Sequence, residues 1–250
     1  MAIALSVNLN KIALLRNSRE GDFPSVIEHA NLCIAAGAQG ITVHPRPDQR
    51  HIRPHDCEQL AVLIEDLPMV EFNIEGNPLE SALADYPGFI PLVLARKPDQ
   101  ATLVPDSSQQ KTSDHGFDLT TSGDTLAPII AQLKAAGIRV SLFMDPDLEQ
   151  IKLAQQVGAD RIELYTGPFA HHYNNGQPIA EFQRHIAAAE LACELGLGVN
   201  AGHDLNLQNM MLYRHLPGLL EVSIGHALTV DSLHMGMTNA VRQYLALCDV

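Results

Sequence analysis

Along this chain a helical alternation of polar and apolar positions ends repeatedly at a glycine. A short β-branched run follows, and a polar residue closes it. The pattern appears in AGAQGITVH, ending at His44; in AGIRVSLFMD, ending at Asp145; in VGADRIELYTG, closing at Thr166; and in LGLGVNAGH, ending at His203. LLEVSIGH is a variant without the leading glycine that ends at His226. A glycine in that position supplies a left-handed helix C-cap, and a short apolar run suits a strand buried in a parallel sheet. Three less regular runs fill the same slot: IALSVN at 3–8, MVEF at 69–72 and ATLVP at 101–105. Between the runs, Ser25 with Glu28 reads as a capping box and Asp145 with Pro146 as a cap and first-turn proline. Val26, Ala30, Cys33 and Ile34 keep one apolar helix face.

Eight alternations of strand and helix in 250 residues predict an α/β fold, a closed (β/α)8 TIM-type barrel forming a single domain over 1–250. An open Rossmann-type sheet is the alternative, but no GxGxxG follows a strand, and no linker divides the chain. Two polar stretches, 105–124 and 166–178, fit neither element and are expected to be lid loops on the catalytic face.

Composition narrows the partners. With 16 Lys plus Arg against 29 Asp plus Glu the net charge is -13, which disfavours nucleic acid and anionic membrane surfaces and leaves anion binding to local basic pockets. The four cysteines, Cys33, Cys57, Cys193 and Cys248, form no CxxC pair, consistent with a reducing cytoplasm. The opening segment MAIALSVNLNKIALL has no basic leader or small-residue cleavage site, and no apolar run reaches membrane-spanning length. A soluble cytoplasmic enzyme is expected.

In a closed barrel the strand ends converge on one mouth. The expected set is Asn8, Asn10 and Lys11; His44 and Arg46; Glu71; Thr112; Glu163; His203; and His226. A lone histidine at a strand end is often structural, whereas Glu71 and Glu163 sit inside apolar strand patterns where an unpartnered carboxylate is expensive. Glu75 reads as a solvated neighbour. His171 and His172 lack HxH or HExxH spacing, so no metal site is expected. The turn at Gly225 and His226 before the last helical stretch offers backbone N–H groups to a phosphate, and Arg16, Arg19, Arg46, Arg50 and His51 offer charge for a second anion.

The segments SVNLNKIALLRNSR, GAQGITVHPRPDQRHI, the glutamate of VEFNIEGNP, GIRVSLFMD, IELYTG, GLGVNAGH and SIGHA together resemble the pyridoxine 5'-phosphate synthase family, in order and over nearly the whole chain. The resemblance implies a (β/α)8 barrel that joins 3-amino-2-oxopropyl phosphate to 1-deoxy-D-xylulose 5-phosphate, giving pyridoxine 5'-phosphate, inorganic phosphate and water by acid-base catalysis. It implies His44 and Glu71 as proton acceptors, His203 as proton donor and Glu163 as transition-state stabiliser. Asn8, Arg19, Asp204, Gly225 and His226 would hold the amino-ketone phosphate, and Asn10, Lys11, Arg46, His51 and Thr112 the deoxyxylulose phosphate. No cofactor is implied, and a homo-oligomer built from dimers, up to an octamer, is expected.

Three positions depart from the family pattern: Asn10-Lys11 stands where many members read Asp-His, and Asp204 where they read Gly. These departures keep two other readings open, a barrel lyase or isomerase on another phosphorylated ketose with Lys11 forming an imine, and a non-catalytic phosphometabolite-binding paralogue.

Overall fold

Eight parallel strands pair in chain order, and the last pairs with the first, so the sheet closes into a barrel. The computed structural model describes residues 2–107 and 110–249. The strands are β1 (Ala4–Asn8), β2 (Gly40–Val43), β3 (Glu71–Gly76), β4 (Gln100–Leu103), β5 (Arg139–Met144), β6 (Arg161–Tyr165), β7 (Gly198–Gly202) and β8 (Leu219–Ile224). Between and after them run α1 (Asn10–Arg16), α2 (Val26–Ala36), α3 (Pro54–Glu65), α4 (Phe89–Arg96), α5 (Leu119–Ala135), α6 (Leu148–Gln156), α7 (Gly167–Asn174), α8 (Ile179–Glu194), α9 (Met210–Tyr213), α10 (His226–Met235) and α11 (Met237–Cys248). The expected (β/α)8 architecture is therefore the observed one.

Successive strand side chains point to opposite faces of a sheet, and here the two faces are chemically distinct. Leu5 and Val7, Ile41 and Val43, Phe72 and Ile74, Val140 and Leu142, Ile162 and Leu164 belong to the buried apolar core under the helices. The other face is polar. Ser6, Thr42, Asn73, Gln100, Thr102, Ser141, Glu163, Asn200, Glu221 and Ser223 are all buried. Their hydrogen bonds cross from strand to strand: Ser6 Oγ to Thr42 Oγ1 at 2.7 Å, Thr102 Oγ1 donating to Asn73 Oδ1 at 3.1 Å, and Asn200 Nδ2 donating to Gln100 Oε1 at 3.3 Å. Branched aliphatics usually fill such a barrel. Here polar groups do, several of them paired across strands, while Gln100 Nε2 and Ser141 Oγ have no partner among the described residues.

Local signals explain several helix boundaries. Ser25 accepts a hydrogen bond from the Glu28 N–H at 3.2 Å, and Gly37, at φ 110°, ends α2. Asp145 does not cap α6. Asp147, two residues on, accepts from the N–H groups of Glu149 and Gln150, while the Asp145 carboxylate receives the Gly116 N–H at 3.1 Å.

The expected lids also differ. The segment 166–178 is not a loop: Pro168 fits the first turn of α7, which takes up Gly167–Asn174. The stretch expected as a loop over 105–124 ends at Asp118, whose side chain caps α5 through the Thr120 N–H; Ser108 and Gln109 lie outside the described residues.

Candidate active site

Beyond the C-terminal strand ends lies a cavity of about 260 Å³ whose walls include Asn8, Asn10, Lys11, His44, Arg46, His51, Glu75, Thr112, Glu163, His203, Asp204, Gly225 and His226. Thirteen positions from seven separate stretches of chain thus share one space. Of the residues expected there, Glu71 and Arg19 are not among those lining it.

The first wall is built from β1, α1 and β2. Asn8 Oδ1 accepts from the Asn10 N–H at 3.0 Å, and Asn10 Oδ1 accepts from the His44 N–H at 2.8 Å, so two amides fix the entrance of α1 against the end of β2. At the far end of α1, Arg16 is buried with its guanidinium on Asp56 of α3 and on the His51 carbonyl at 3.0 Å. Arg16 is thereby committed to structure and supplies no charge to an anion.

His44 is almost fully buried, with Nδ1 3.9 Å from Glu75 Oε2 and Nε2 3.5 Å from Asp106 Oδ2. Burial, helped by the Arg46 and Arg50 charges, holds its imidazole well below the usual histidine range, so it is neutral near pH 7. His51 is pushed down to about 2, first by burial and then by the charges of His44, Arg46, Lys11 and Arg50. Its Nδ1 accepts the Ile52 N–H at 2.9 Å, which leaves Nε2 as the donor nitrogen. Arg46, also buried, pairs with Asp106 and donates to the Ser107 carbonyl at 3.0 Å.

The glutamates are the main correction. The third strand begins at Glu71 rather than ending near it, so Glu71 sits at the opposite, N-terminal rim. There it pairs with Arg139, its side chain 46% exposed, in a separate depression shared with Ser6, Arg161 and Glu221. Burial pushes the Glu71 carboxyl up, but the hydrogen bond and charge of Arg139, joined by the Arg161 charge, outweigh it and hold the carboxyl below its usual range. Glu75, four residues on, occupies the mouth instead. It accepts from Asn8 Nδ2 at 3.3 Å, and burial followed by the charges of Asp106 and Glu221 lifts its carboxyl to about 8. The expectation that Glu75 is solvated is thus overturned. The signal for it lay in the alternation of EFNIEG, where Phe72 and Ile74 face the helices and Glu71, Asn73 and Glu75 face inward.

Glu163 lies where expected, on β6, buried, with Oε2 lacking a hydrogen-bond partner. Burial and then the neighbouring Glu75 and Glu221 charges raise its carboxyl well above the ordinary range. Room for it exists because Gly202 faces it: a Cβ on Gly202 would overlap Glu163 Oε1. At the end of β7, His203 Nε2 is 2.7 Å from Thr112 Oγ1, which brings Thr112 to the mouth. Asp106 is a site-bordering residue that strand-end reasoning missed, because it lies three residues past β4 and reaches back to Arg46, His44 and Ser113.

On the β8 side, Gly225 caps α10, with His226 its first residue. A Cβ on Gly225 would come within 2.9 Å of Asn8 Cβ, so glycine is what lets these two segments meet. Arg19 lies in the exposed turn after α1. The Asp204 carboxylate turns to His203, so a phosphate contact at this residue would be made by main chain. His171 and His172 are exposed on α7.

Comparison with known proteins was consistent over the full chain. A family model described as "Pyridoxal phosphate biosynthesis protein PdxJ" matches residues 5–250. A pyridoxine 5'-phosphate synthase of Xanthomonas campestris pv. campestris is 52% identical over 99% of this chain and 96% of its own length. One from Albidiferax ferrireducens is 50% identical over 98% of this chain and 97% of its own length. Among solved structures, a protein of Aquifex aeolicus VF5 superposes with a TM-score of 0.64 at 13% identity, covering 100% of this chain and 94% of that one. A structure described as "Native KDPGal structure" gives 0.61 at 9% identity, with 99% and 95% covered. At such identity these two speak to the barrel alone.

Proposed function

The chain belongs to the PdxJ family, and on that premise we propose that it is a pyridoxine 5'-phosphate synthase acting by proton transfer among His44, Glu75, Glu163 and His203. Its substrates are then 3-amino-2-oxopropyl phosphate and 1-deoxy-D-xylulose 5-phosphate, and one of their two phosphates leaves as inorganic phosphate. The observation that supports this site best is the convergence, in one cavity, of a neutral histidine and a raised carboxyl with Lys11 and Arg46 on one side and the start of α10 on the other.

At one corner, the Gly225 and His226 N–H groups at the start of α10 and the Asn8 amide suit a phosphate. At the other, Lys11, Arg46 and His51 suit the second. The amino group of the first substrate attacks the ketone of the second, and the carbinolamine loses water to give an imine. Neutral His44 can take a proton from the attacking ammonium or from carbon. Glu75, still protonated near pH 7, can deliver one to a departing hydroxyl and recover it as the ring closes. Glu163, buried beside it, stabilises the cationic imine when ionised. His203 serves as donor from the opposite wall, and the stretch 110–118 that meets it through Thr112 shields reactive carbonyls from water.

This reading fits Lys11 as a phosphate or hydroxyl ligand, and no imine on the protein is needed. The assembly follows the same kinship: a homo-oligomer built from dimers, in the cytoplasm. No helix among the described residues is long and apolar enough to cross a membrane. Incubation of the purified chain with both substrates should yield pyridoxine 5'-phosphate and inorganic phosphate in equal amounts. A folded chain that forms neither product would refute the proposal.

A further inference from the structure

The turn that follows β7 holds two successive non-glycine residues in the left-handed region, His203 at φ 79° and Asp204 at φ 60°. Such a conformation is unfavourable for residues with a Cβ and persists only where the surroundings impose it. Here they do. The Thr166 hydroxyl faces the carbonyl oxygens of Gly202 and His203, the Asn209 side-chain amide donates to the Asp204 carbonyl at 3.0 Å, and the Tyr165 ring stacks edge-on against the His203 ring at 5.3 Å.

The outcome of this strained turn is a specific contact. His203 Nδ1 is buried and 3.1 Å from Asp204 Oδ2, while Nε2 is 2.7 Å from Thr112 Oγ1. Nδ1 makes no other hydrogen bond, so the Asp204 carboxylate is the group that faces it.

We propose that Asp204 is a positioning residue for the proposed reaction, a carboxylate that fixes the ring orientation and tautomer of His203 by holding Nδ1–H, so that Nε2 is the nitrogen presented to substrate. The inference rests on the reading of His203 as the proton donor. A carboxylate behind a histidine sets which ring nitrogen carries the proton and steadies the imidazolium. Contact with His203, against the opposing effect of partial burial, keeps the Asp204 carboxyl below its usual range, which matches a carboxylate turned to that ring. The same orientation makes it a poor phosphate ligand. It also accounts for a strained non-glycine residue at a turn that glycine would fill without strain.

A structural role and a positioning role predict opposite signs for Asp204→Gly. Removing the side chain relieves the left-handed strain, so the thermal midpoint of the full-length protein should rise. At the same time kcat should fall about five- to tenfold, the scale of one charge-assisted contact at a half-exposed site, with KM for either substrate moving less than about twofold. Asp204→Asn, which keeps an acceptor oxygen for Nδ1–H, should recover most of the lost kcat. His203→Gln is the companion variant and should abolish turnover.

If Asp204→Gly keeps wild-type kcat, or lowers the thermal midpoint while raising KM alone, the positioning role is overturned. Failure of Asp204→Asn to recover kcat overturns it as well. Full activity in His203→Gln would instead remove the reading of His203 as donor, and with it this inference. A dead His203→Gln beside an unimpaired Asp204→Gly sinks only the role of Asp204.

Discussion

Glu75→Gln separates the electrostatics of the barrel mouth from its shape. Glutamine preserves the side-chain volume and an acceptor for the Asn8 amide at 3.3 Å, and it removes only the ionisable proton. In the wild type, burial and then the charges of Asp106 and Glu221 raise this carboxyl from 4.5 to about 8. A raised pKa means that the native protein keeps a proton which the unfolded chain has released. The stability associated with that proton is therefore intact below about pH 4.5 and is lost as pH rises toward 8. At about 1.4 kcal/mol per pKa unit the full span corresponds to about 5 kcal/mol, and sharing of charge with the adjacent buried carboxyls leaves about 2–4 kcal/mol for a single substitution to recover. Urea unfolding of both proteins at a series of pH values is the assay. The two should be nearly equal in stability near pH 4.5, and the variant should gain steadily to a plateau above pH 8. A stability difference that stays constant with pH would refute the reasoning, because a solvated Glu75 would give that result. In the same samples, turnover of the variant should be lost.

Three further substitutions test other parts of the structure. Glu71→Gln breaks a pair with Arg139 whose carboxylate is half exposed, so it should cost less than about 1 kcal/mol in urea unfolding and leave kcat within about twofold of wild type. Gly202→Ala drives a methyl group into Glu163 Oε1. It should destabilise by about 1–3 kcal/mol and displace that carboxyl, with kcat falling far more than stability, read by steady-state kinetics beside thermal melting. Asp56→Ala leaves the buried Arg16 guanidinium without its carboxylate and should cost about 3–5 kcal/mol. Because Arg16 anchors the α1 helix that carries Asn10 and Lys11, KM for the deoxyxylulose phosphate should rise too.

The polar inner face of the barrel explains both what the sequence revealed and what it concealed. His44, His203 and His226 were legible because each follows a β-branched run and a glycine marks the preceding helix end or the turn before it, so that the strand terminus itself is signposted. The third strand lacked that signpost. A buried parallel strand is expected to read as a continuous apolar run, which favours MVEF at 69–72. Yet Met69 is 83% exposed in a turn, and the strand runs instead through EFNIEG, apolar only at Phe72 and Ile74. A displacement of a few residues along the strand exchanges the two rims of a barrel, and that is why Glu71 was expected where Glu75 stands. Inward carboxylates therefore need a different rule from inward aliphatics. In β3, β6 and β8 the alternation places Glu75, Glu163 and Glu221 on the interior side, and burial raises each carboxyl; Asp106 and Glu221 add to it at Glu75, Glu75 and Glu221 add to it at Glu163, and at Glu221 the Glu71 charge adds to it against the lowering charges of Arg161 and Arg139. Carboxyls buried in this way are unfavourable for stability at neutral pH, and the apolar core under the helices offsets them. The mouth with its raised carboxyls thus opens above a barrel lined by buried polar side chains instead of aliphatic ones.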